Sequence, residues 1–151
     1  MAFENYSTKR YIYLADDDSD DREFFADAVM EIDRNVILKQ ARDGMHLMED
    51  LRTLSGSELP DFVFLDINMP GKSGLKCLEE IRSCEGALKE VNIIMLSTSN
   101  DPQNIHRAME LGASFYAVKP SSFEKLKSIL EEILAMDLAW TVEEKKKFLL
   151  L

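Results

Sequence analysis

The sequence has few of the features that mark secreted, membrane-bound or disulfide-rich chains. Its 151 residues include two cysteines, four prolines, six glycines and one tryptophan. No apolar stretch is long enough to cross a bilayer, and there is no internal repeat or low-complexity run. The opening residues, MAFENYSTKR, lack a hydrophobic signal core. We therefore expect a single cytoplasmic globular domain.

Positive charge is also scarce. Eighteen Lys and Arg residues face 28 Asp and Glu residues, which gives a formal net charge of −10. Phosphate backbones repel such a surface, so we expect no direct nucleic-acid partner and no membrane partner. The two cysteines, Cys77 and Cys84, lie within a helical pattern, which favours reduced thiols over a disulfide or a metal site.

Five short apolar segments alternate with amphipathic helical patterns along the chain. Capping signals at Asp101 and Ser121 mark the expected starts of the last two helices of this series. Parallel strands need crossover connections, so strict strand–helix alternation predicts an α/β fold with a doubly wound, five-stranded parallel sheet. The predicted strands cover residues 10–15, 35–41, 61–66, 92–97 and 114–119.

Polar side chains follow four of these predicted strands. Binding sites in such sheets lie at the carboxyl ends of the strands, so we expect these side chains to converge on one shallow pocket. It would hold a carboxylate cluster, a hydroxyl and an ammonium, contributed by Asp16, Asp17, Asp66, Ser97, Thr98 and Lys119.

This set of residues suits a phosphoryl group held beside a divalent cation. Clustered carboxylates are stable together mainly around a hard cation, and an all-oxygen site favours Mg²⁺ over Zn²⁺. Lys119 would neutralise phosphate charge, and a serine hydroxyl could donate to a phosphate oxygen. Asp66 is the best candidate acceptor, because an aspartate carboxylate can form an aspartyl-phosphate.

Four motifs, YLADDD, FLDINMPGKSG, IIMLSTS and SFYAVKP, resemble in order and spacing the receiver domain of bacterial two-component response regulators. The resemblance covers about residues 10–135. It implies a flavodoxin-like (βα)5 fold with strand order 2-1-3-4-5. We accordingly expect an N-terminal segment over 1–9, a receiver domain over 10–136 and a C-terminal extension over 137–151.

The resemblance also implies roles for the acidic residues. Asp66 corresponds to the phospho-accepting aspartate and also contacts the metal. Asp17 corresponds to the direct metal ligand of the acidic pair, and Asp16 to its partner that acts through water. The backbone carbonyl of Asn68 corresponds to a further metal contact. The implied cation is Mg²⁺, for which Mn²⁺ could substitute.

The remaining implied roles belong to the fourth and fifth strand ends. Ser97 matches the switch hydroxyl that moves toward the phosphoryl group, and Thr98 is its neighbour. Lys119 matches the lysine of the family, in a Lys119–Pro120 bond that is often cis there. Tyr116 matches the aromatic switch position, whose ring is expected to turn inward on phosphorylation.

The function implied is that of a stand-alone receiver rather than an enzyme, with only self-catalysed phosphoryl transfer and hydrolysis. A sensor histidine kinase or a histidine phosphotransfer protein would supply the phosphoryl group. The surface formed by residues 101–134 would then change its affinity for a downstream protein partner. A homodimer is left open.

Other interpretations also stay open at this point. The chain could pass its phosphoryl group along a relay. A flavodoxin-type carrier shares the fold, but the acidic loop after the first strand would repel FMN. A haloacid-dehalogenase-like Mg²⁺ phosphohydrolase shares the chemistry, but Asn68 stands where that class needs a second aspartate.

Two acidic or apolar features are interpreted as structural. Asp20 and Asp21 fit the solvated first turn of a helix, where acidic residues are favoured. In the tail, Thr141 and Glu144 fit a capping box, which predicts a short helix over 142–151. Its apolar residues could dock on this chain or on a partner.

Overall fold

The computed structural model describes residues 10–135 and 149–150. Strands and helices alternate through most of this range, as the sequence pattern predicts. The elements in chain order are β1 Tyr11–Ala15, α1 Ser19–Ile32, β2 Ile37–Ala41, α2 Gly44–Arg52, β3 Phe62–Leu65, α3 Gly74–Arg82, β4 Asn92–Ser97, α4 Pro102–Glu110, β5 Phe115–Val118, α5 Phe123–Leu134 and β6 Leu149–Leu150.

All strand pairs of the sheet are parallel, and their order is β2-β1-β3-β4-β5-β6. The predicted five-stranded order 2-1-3-4-5 is therefore confirmed. The register sets Ala15 beside Leu65, and Leu65 beside Met95. The carboxyl ends of β1, β3 and β4 consequently line up at one edge of the sheet, where the polar residues follow.

The sheet has an apolar layer on each face. Successive strand residues point to opposite faces, so Phe62 and Phe64 enter one buried cluster while Val63 and Leu65 enter the other. The first cluster packs against α1 and α5, and the second against α2, α3 and α4. All four residues of β3 are buried, which explains why this strand is a continuous apolar run in the sequence.

The helix starts agree with the sequence signals in one case and differ in another. Asp101 caps α4 by accepting a hydrogen bond from the Gln103 backbone N–H, and Pro102 occupies the first turn. For α5 the capping residue is Ser122, which accepts from the Lys125 backbone N–H, so the predicted cap at Ser121 is wrong by one residue. Ser121 and Ser122 both carry a hydroxyl that could cap the helix, and the sequence alone does not show which of the two does so.

The C-terminal segment departs from the expected helix. Leu149 and Leu150 form β6, which pairs in parallel with Tyr116 and Ala117 of β5. For these two residues the predicted helix over 142–151 is wrong, because they extend the sheet instead. Residues 142–148 of that prediction, with the capping pair Thr141 and Glu144, lie outside the described residues.

Both cysteines are free thiols, as expected. Cys77 is buried in α3, and this burial raises the pKa of its thiol to about 11. Over the part of the chain that the structure describes, none of the helices has the length and apolar character of a membrane span.

Candidate functional site

The ends of β1 and β3 bring three carboxylates together. The Asp66 backbone N–H donates to the Ala15 carbonyl at 3.0 Å, so the residue after β3 lies directly beside the end of β1. Asp16, Asp17 and Asp66 each offer a carboxylate oxygen, and these atoms lie within 4.8 Å of one another. Asp16 and Asp66 are buried, whereas Asp17 is exposed. The predicted acidic cluster is thus present.

The acidic run after β1 is divided between this cluster and a helix cap. The Asp18 carboxylate accepts from the backbone N–H groups of Asp20 and Asp21, at 2.8 and 3.2 Å, and so caps α1. The Asp18 backbone N–H in turn donates to the Asp16 carboxylate at 3.0 Å. Because the chain turns at these hydrogen bonds, Asp16 belongs to the carboxylate cluster while Asp18, two residues later, caps the helix.

Asp66 is positioned by the segment that follows it. The Asn68 backbone N–H donates to the Asp66 carboxylate at 3.3 Å, and the Gly74 N–H donates to the Ile67 carbonyl at 2.9 Å. A Cβ atom on Gly74 would lie 2.2 Å from the Asp66 carbonyl oxygen, so only glycine permits this approach of α3 to β3. The metal contact implied for the Asn68 carbonyl stays a prediction.

Lys119 lies beside the carboxylate cluster and contacts three acidic residues. Its Nζ is 2.7 Å from Asp16 Oδ2, 2.8 Å from Asp21 Oδ2 and 3.4 Å from Asp66 Oδ2. Asp21 lies in the first turn of α1 as expected, but its contact with Lys119 was not predicted. The Lys119–Pro120 bond is not cis in the structure, since no cis peptide occurs among the described residues.

Burial and charge act against each other at the two central groups. Burial raises the pKa of Asp66 from 3.8 to about 6; the Lys119 ammonium lowers this pKa, and the Asp16 charge raises it. Burial would lower the pKa of Lys119, but its bonds to Asp16 and Asp21 and the charges of Asp66 and Asp16 outweigh that effect and raise it. At neutral pH the site therefore holds a cationic lysine beside a mainly ionised Asp66.

A chain of hydrogen bonds links the end of β4 to β5 and α4. The Ser99 N–H donates to Ser97 Oγ at 3.2 Å, and the Tyr116 hydroxyl donates to the Ser99 carbonyl at 2.7 Å. The Asn104 side chain donates to Ser99 Oγ at 3.0 Å. Ser97 is buried, and Thr98 is exposed. Sequence reasoning missed Ser99, because a serine in a polar loop gives no distinctive signal.

Tyr116 is fully buried, with its ring turned inward. Burial raises the pKa of its hydroxyl, while hydrogen bonds with Ser97 and Ser99 lower it, and the net effect is a raised pKa. The inward ring expected to accompany phosphorylation is thus already present in this structure.

The three carboxylates fit a hard divalent cation. Their oxygens are close enough to share one ion, and such all-oxygen sets are typical of Mg²⁺ or Mn²⁺ rather than of zinc. Lys119 supplies a positive charge 3.4 Å from Asp66 Oδ2. With such an ion bound, an anionic group attached to Asp66 would have positive charge near it from both the ion and Lys119.

Comparison with known proteins assigns the class. The family model of the response regulator receiver domain matches residues 12–131, which is most of the chain. The chain therefore belongs to the response regulator receiver domain family. Receiver domains are signalling modules, and the family is one of phosphate acceptors, which agrees with the resemblance in the sequence motifs.

Two curated relatives illustrate the range of the family. The chain is 35% identical over 101 residues to the probable methanogenesis regulatory protein FilR2 of Methanothrix harundinacea, covering 66% of this chain and 64% of that protein. It is 31% identical over 121 residues to the probable C4-dicarboxylate response regulator DctR of Bacillus subtilis, covering 80% of this chain and 50% of the relative. The chain thus spans between half and two thirds of their lengths.

Solved structures agree with the fold. The phosphorylated cyanobacterial phytochrome response regulator RcpA is 29% identical, with a TM-score of 0.75, 83% of this chain covered and 91% of RcpA. The Mn²⁺-bound response regulator Rcp1 is 24% identical, with a TM-score of 0.73 and coverages of 88% and 97%. At that identity the second likeness concerns the fold alone.

Proposed function

We propose that this chain accepts a phosphoryl group on Asp66 from a histidine kinase, or from a histidine phosphotransfer protein, in a Mg²⁺-dependent reaction. The observation that carries the proposal is the position of the Asp66 carboxylate. It offers an oxygen within 4.8 Å of oxygens of Asp16 and Asp17, and its Oδ2 lies 3.4 Å from the Lys119 ammonium. A phosphoryl group attached there would meet positive charge from a bound cation and from Lys119.

The reaction transfers one phosphoryl group from a phosphorylated histidine side chain to the Asp66 carboxylate. An Asp66 carboxylate oxygen attacks the phosphorus of a phosphohistidine and forms a P–O bond as the P–N bond breaks. The electron pair of the broken bond returns to the imidazole nitrogen of the donor, which takes up a proton from solvent. Asp66 must be ionised to attack, and its pKa of about 6 leaves it mostly ionised at neutral pH.

Asp17, Asp66 and the Asn68 carbonyl are proposed to hold the cation directly, and Asp16 through water. When bound, Mg²⁺ would neutralise charge on the transferred group, and Mn²⁺ could replace it. The response regulator Rcp1, which has the same fold, has been solved in a Mn²⁺-bound form. Lys119 is proposed to pair with a phosphoryl oxygen, because its Nζ already lies 3.4 Å from Asp66 Oδ2.

The output of the switch is proposed to pass through Ser97 and its neighbours. A shift of the Ser97 hydroxyl toward a phosphoryl group would disturb the hydrogen bond that Ser97 Oγ accepts from the Ser99 N–H. Because Ser99 also bonds with Tyr116 and Asn104, the disturbance would reach both of these residues. The surface over 101–134 would then change its affinity for a protein partner. Such a switch needs a two-state element biased by local charge.

We propose a cytoplasmic regulator, with the receiver over 10–136 flanked by the segments 1–9 and 137–151. Transfer onward to a histidine phosphotransfer protein is the second candidate, because the same exposed strand-end pocket would serve both directions. The phosphohydrolase and flavodoxin alternatives lose ground, since the family match assigns residues 12–131 to receivers.

The decisive experiment is intact-mass spectrometry after incubation with Mg²⁺ and acetyl phosphate. We expect one phosphoryl adduct on the native chain, none on Asp66→Ala, and none when the metal is chelated. Asp20→Asn is the matched control, because it removes an acidic side chain from the same run without touching the three-carboxylate cluster.

An adduct that survives the Asp66→Ala change would place the acceptor elsewhere. No adduct on a folded native chain that binds Mg²⁺ would contradict the phospho-acceptor function. Steady hydrolysis of a small phosphate ester by the native chain would favour the phosphohydrolase class instead.

A further inference from the structure

Asp21 contributes to the pocket a carboxylate that does not belong to the metal cluster. It comes from the first turn of α1, whereas Asp16 and Asp66 follow strand ends. Its Oδ2 lies 2.8 Å from Lys119 Nζ, and the corresponding distance from Asp16 Oδ2 to Lys119 Nζ is 2.7 Å. Acidic residues in a first turn usually face solvent, so this contact requires a separate explanation.

The three contacts of Lys119 are unequal. The contacts with Asp16 and Asp21 have ordinary hydrogen-bond lengths, whereas the 3.4 Å contact with Asp66 exceeds the usual range for an N–H···O bond. The ammonium is therefore held toward Asp16 and α1, and away from the proposed acceptor.

The two carboxylates that form short contacts with Lys119, those of Asp16 and Asp21, differ in their burial and in their ability to bind a cation. Asp16 is buried and belongs to the group of three that could hold a cation, whereas Asp21 lies outside that group and its side chain is 42% exposed. A partly exposed ion pair is weak and is broken at little cost, because water compensates both charges. Asp21 is thus suited to hold Lys119 reversibly.

We infer that Asp21 is a positioning residue that competes with a phosphoryl group on Asp66 for the Lys119 ammonium. This inference rests on the proposed function. In the unphosphorylated chain Asp21 draws the lysine toward α1, and a phosphoryl group must draw it back. Asp21 therefore weakens the binding of phosphoryl-like anions at Asp66 and favours the unphosphorylated chain.

Beryllofluoride, a phosphoryl analogue that binds aspartate carboxylates, tests this by isothermal titration calorimetry at saturating Mg²⁺. We expect Asp21→Asn to tighten beryllofluoride binding about two- to five-fold, the range expected when an exposed ion pair no longer competes. Asp21→Glu keeps the carboxylate and should return the affinity toward the native value. Asp20→Asn removes the same charge from the same helix turn and should give a smaller change than Asp21→Asn.

Two further readouts separate competition from general electrostatics. The affinity for Mg²⁺ alone should change equally in Asp21→Asn and Asp20→Asn, because both remove one negative charge near the cluster. In a Lys119→Met background, Asp21→Asn should no longer affect beryllofluoride binding, since the shared partner is gone. Urea unfolding of each variant shows that the comparison is made between folded proteins.

Beryllofluoride affinity that is unchanged or weaker in Asp21→Asn would overturn the inference, as would an equal gain in Asp20→Asn or a gain that persists without Lys119. If the native chain itself bound no beryllofluoride and took no phosphoryl group, the proposed function would fail as well. Native binding with an indifferent Asp21→Asn would overturn only the role of Asp21.

Discussion

At the scale of single residues, the site combines an acid that resists ionisation with a lysine that resists deprotonation. Burial raises the pKa of Asp66 to about 6 even though Lys119 lies beside it. The folded chain therefore binds the Asp66 proton more tightly than the unfolded chain does, and ionising Asp66 costs folding free energy. A bound cation would relieve this cost, which links occupation of the site to stability.

The pH dependence of this cost gives a prediction for Asp66→Asn in metal-free solution. Below pH 3.8 the native Asp66 is neutral in both states and contributes no pH dependence. As the pH rises from 3.8 through about 6, the unfolded state loses its proton first, so the native chain loses stability relative to the variant. The free energy of unfolding of the variant minus that of the native chain should therefore grow by about 3 kcal/mol, then level off above pH 6.

Urea unfolding between pH 4 and 8, with a chelator and at fixed ionic strength, measures this difference. Asp20→Asn serves as the control, because its side chain is exposed. A difference that stays constant over the whole range would show that Asp66 has an ordinary pKa in the folded chain.

At the scale of elements, the start of α3 can pack closely against the end of β3 because Gly74 has no side chain. A Cβ on Gly74 would lie 2.2 Å from the Asp66 carbonyl oxygen and 2.9 Å from the Ile67 Cα. Because both contacts are with backbone, Gly74→Ala must displace either α3 or the segment that carries Asp66. We expect a loss of about 1–3 kcal/mol in stability, as for overpacked sites, and slower phosphorylation by acetyl phosphate.

Gly71→Ala is the informative comparison for that prediction. No atom lies within 4 Å of a Cβ built on Gly71, but its φ of +79° disfavours a side chain. It should therefore cost some stability through backbone strain while leaving the Asp66 carbonyl in place. Equal phosphorylation rates for Gly74→Ala and the native chain would mean that the strand end tolerates the displacement.

A second element-scale prediction concerns the loop between β4 and α4. The Asn104 side chain and the Asp101 N–H both donate to Ser99 Oγ, at 3.0 and 3.2 Å, so α4 is tied to the residue that also meets Tyr116. Asn104→Ala removes one of these bonds and should cost about 1 kcal/mol. Hydrogen exchange over the loop should become faster.

Hydrogen exchange with mass spectrometry measures this change on peptides that span the loop. Gln103→Ala, an exposed position in the same turn, is the matched control and should leave the exchange rates as they are. Unchanged protection of the loop in Asn104→Ala would mean that the bonds of Ser99 with Ser97, Asp101 and Tyr116 hold the loop without Asn104.

At the scale of the whole molecule, most of the architecture could be predicted because it depends on periodicity. The apolar runs of β3 and β4 indicate strands covered on both faces, and the alternation with helices fixes a parallel sheet, as the structure confirms. The carboxylate cluster could also be predicted, because parallel strands deliver their following residues to one edge.

The features that sequence missed depend on tertiary distance. Asp21 has the ordinary signature of a helix first turn, and only the path of β5 brings Lys119 to it. Ser99 lies in a loop without periodicity, and its partners Tyr116 and Asn104 are known only from the fold. Leu149 and Leu150 form a strand because β5 offers them an open edge, which outweighs local preference.

The pairing of β6 with β5 gives the last prediction, since it covers an edge of the sheet that carries Tyr116. Leu149 is partly buried against the second apolar cluster. Deleting residues 149–151 should therefore cost about 1 kcal/mol and speed hydrogen exchange in β5, because the strand loses its outer partner. The opposite edge strand, β2, is the internal control and should keep its protection. Unchanged exchange in β5 would mean that this pairing contributes nothing in solution, which would favour docking of the apolar tail on a partner over docking on this chain.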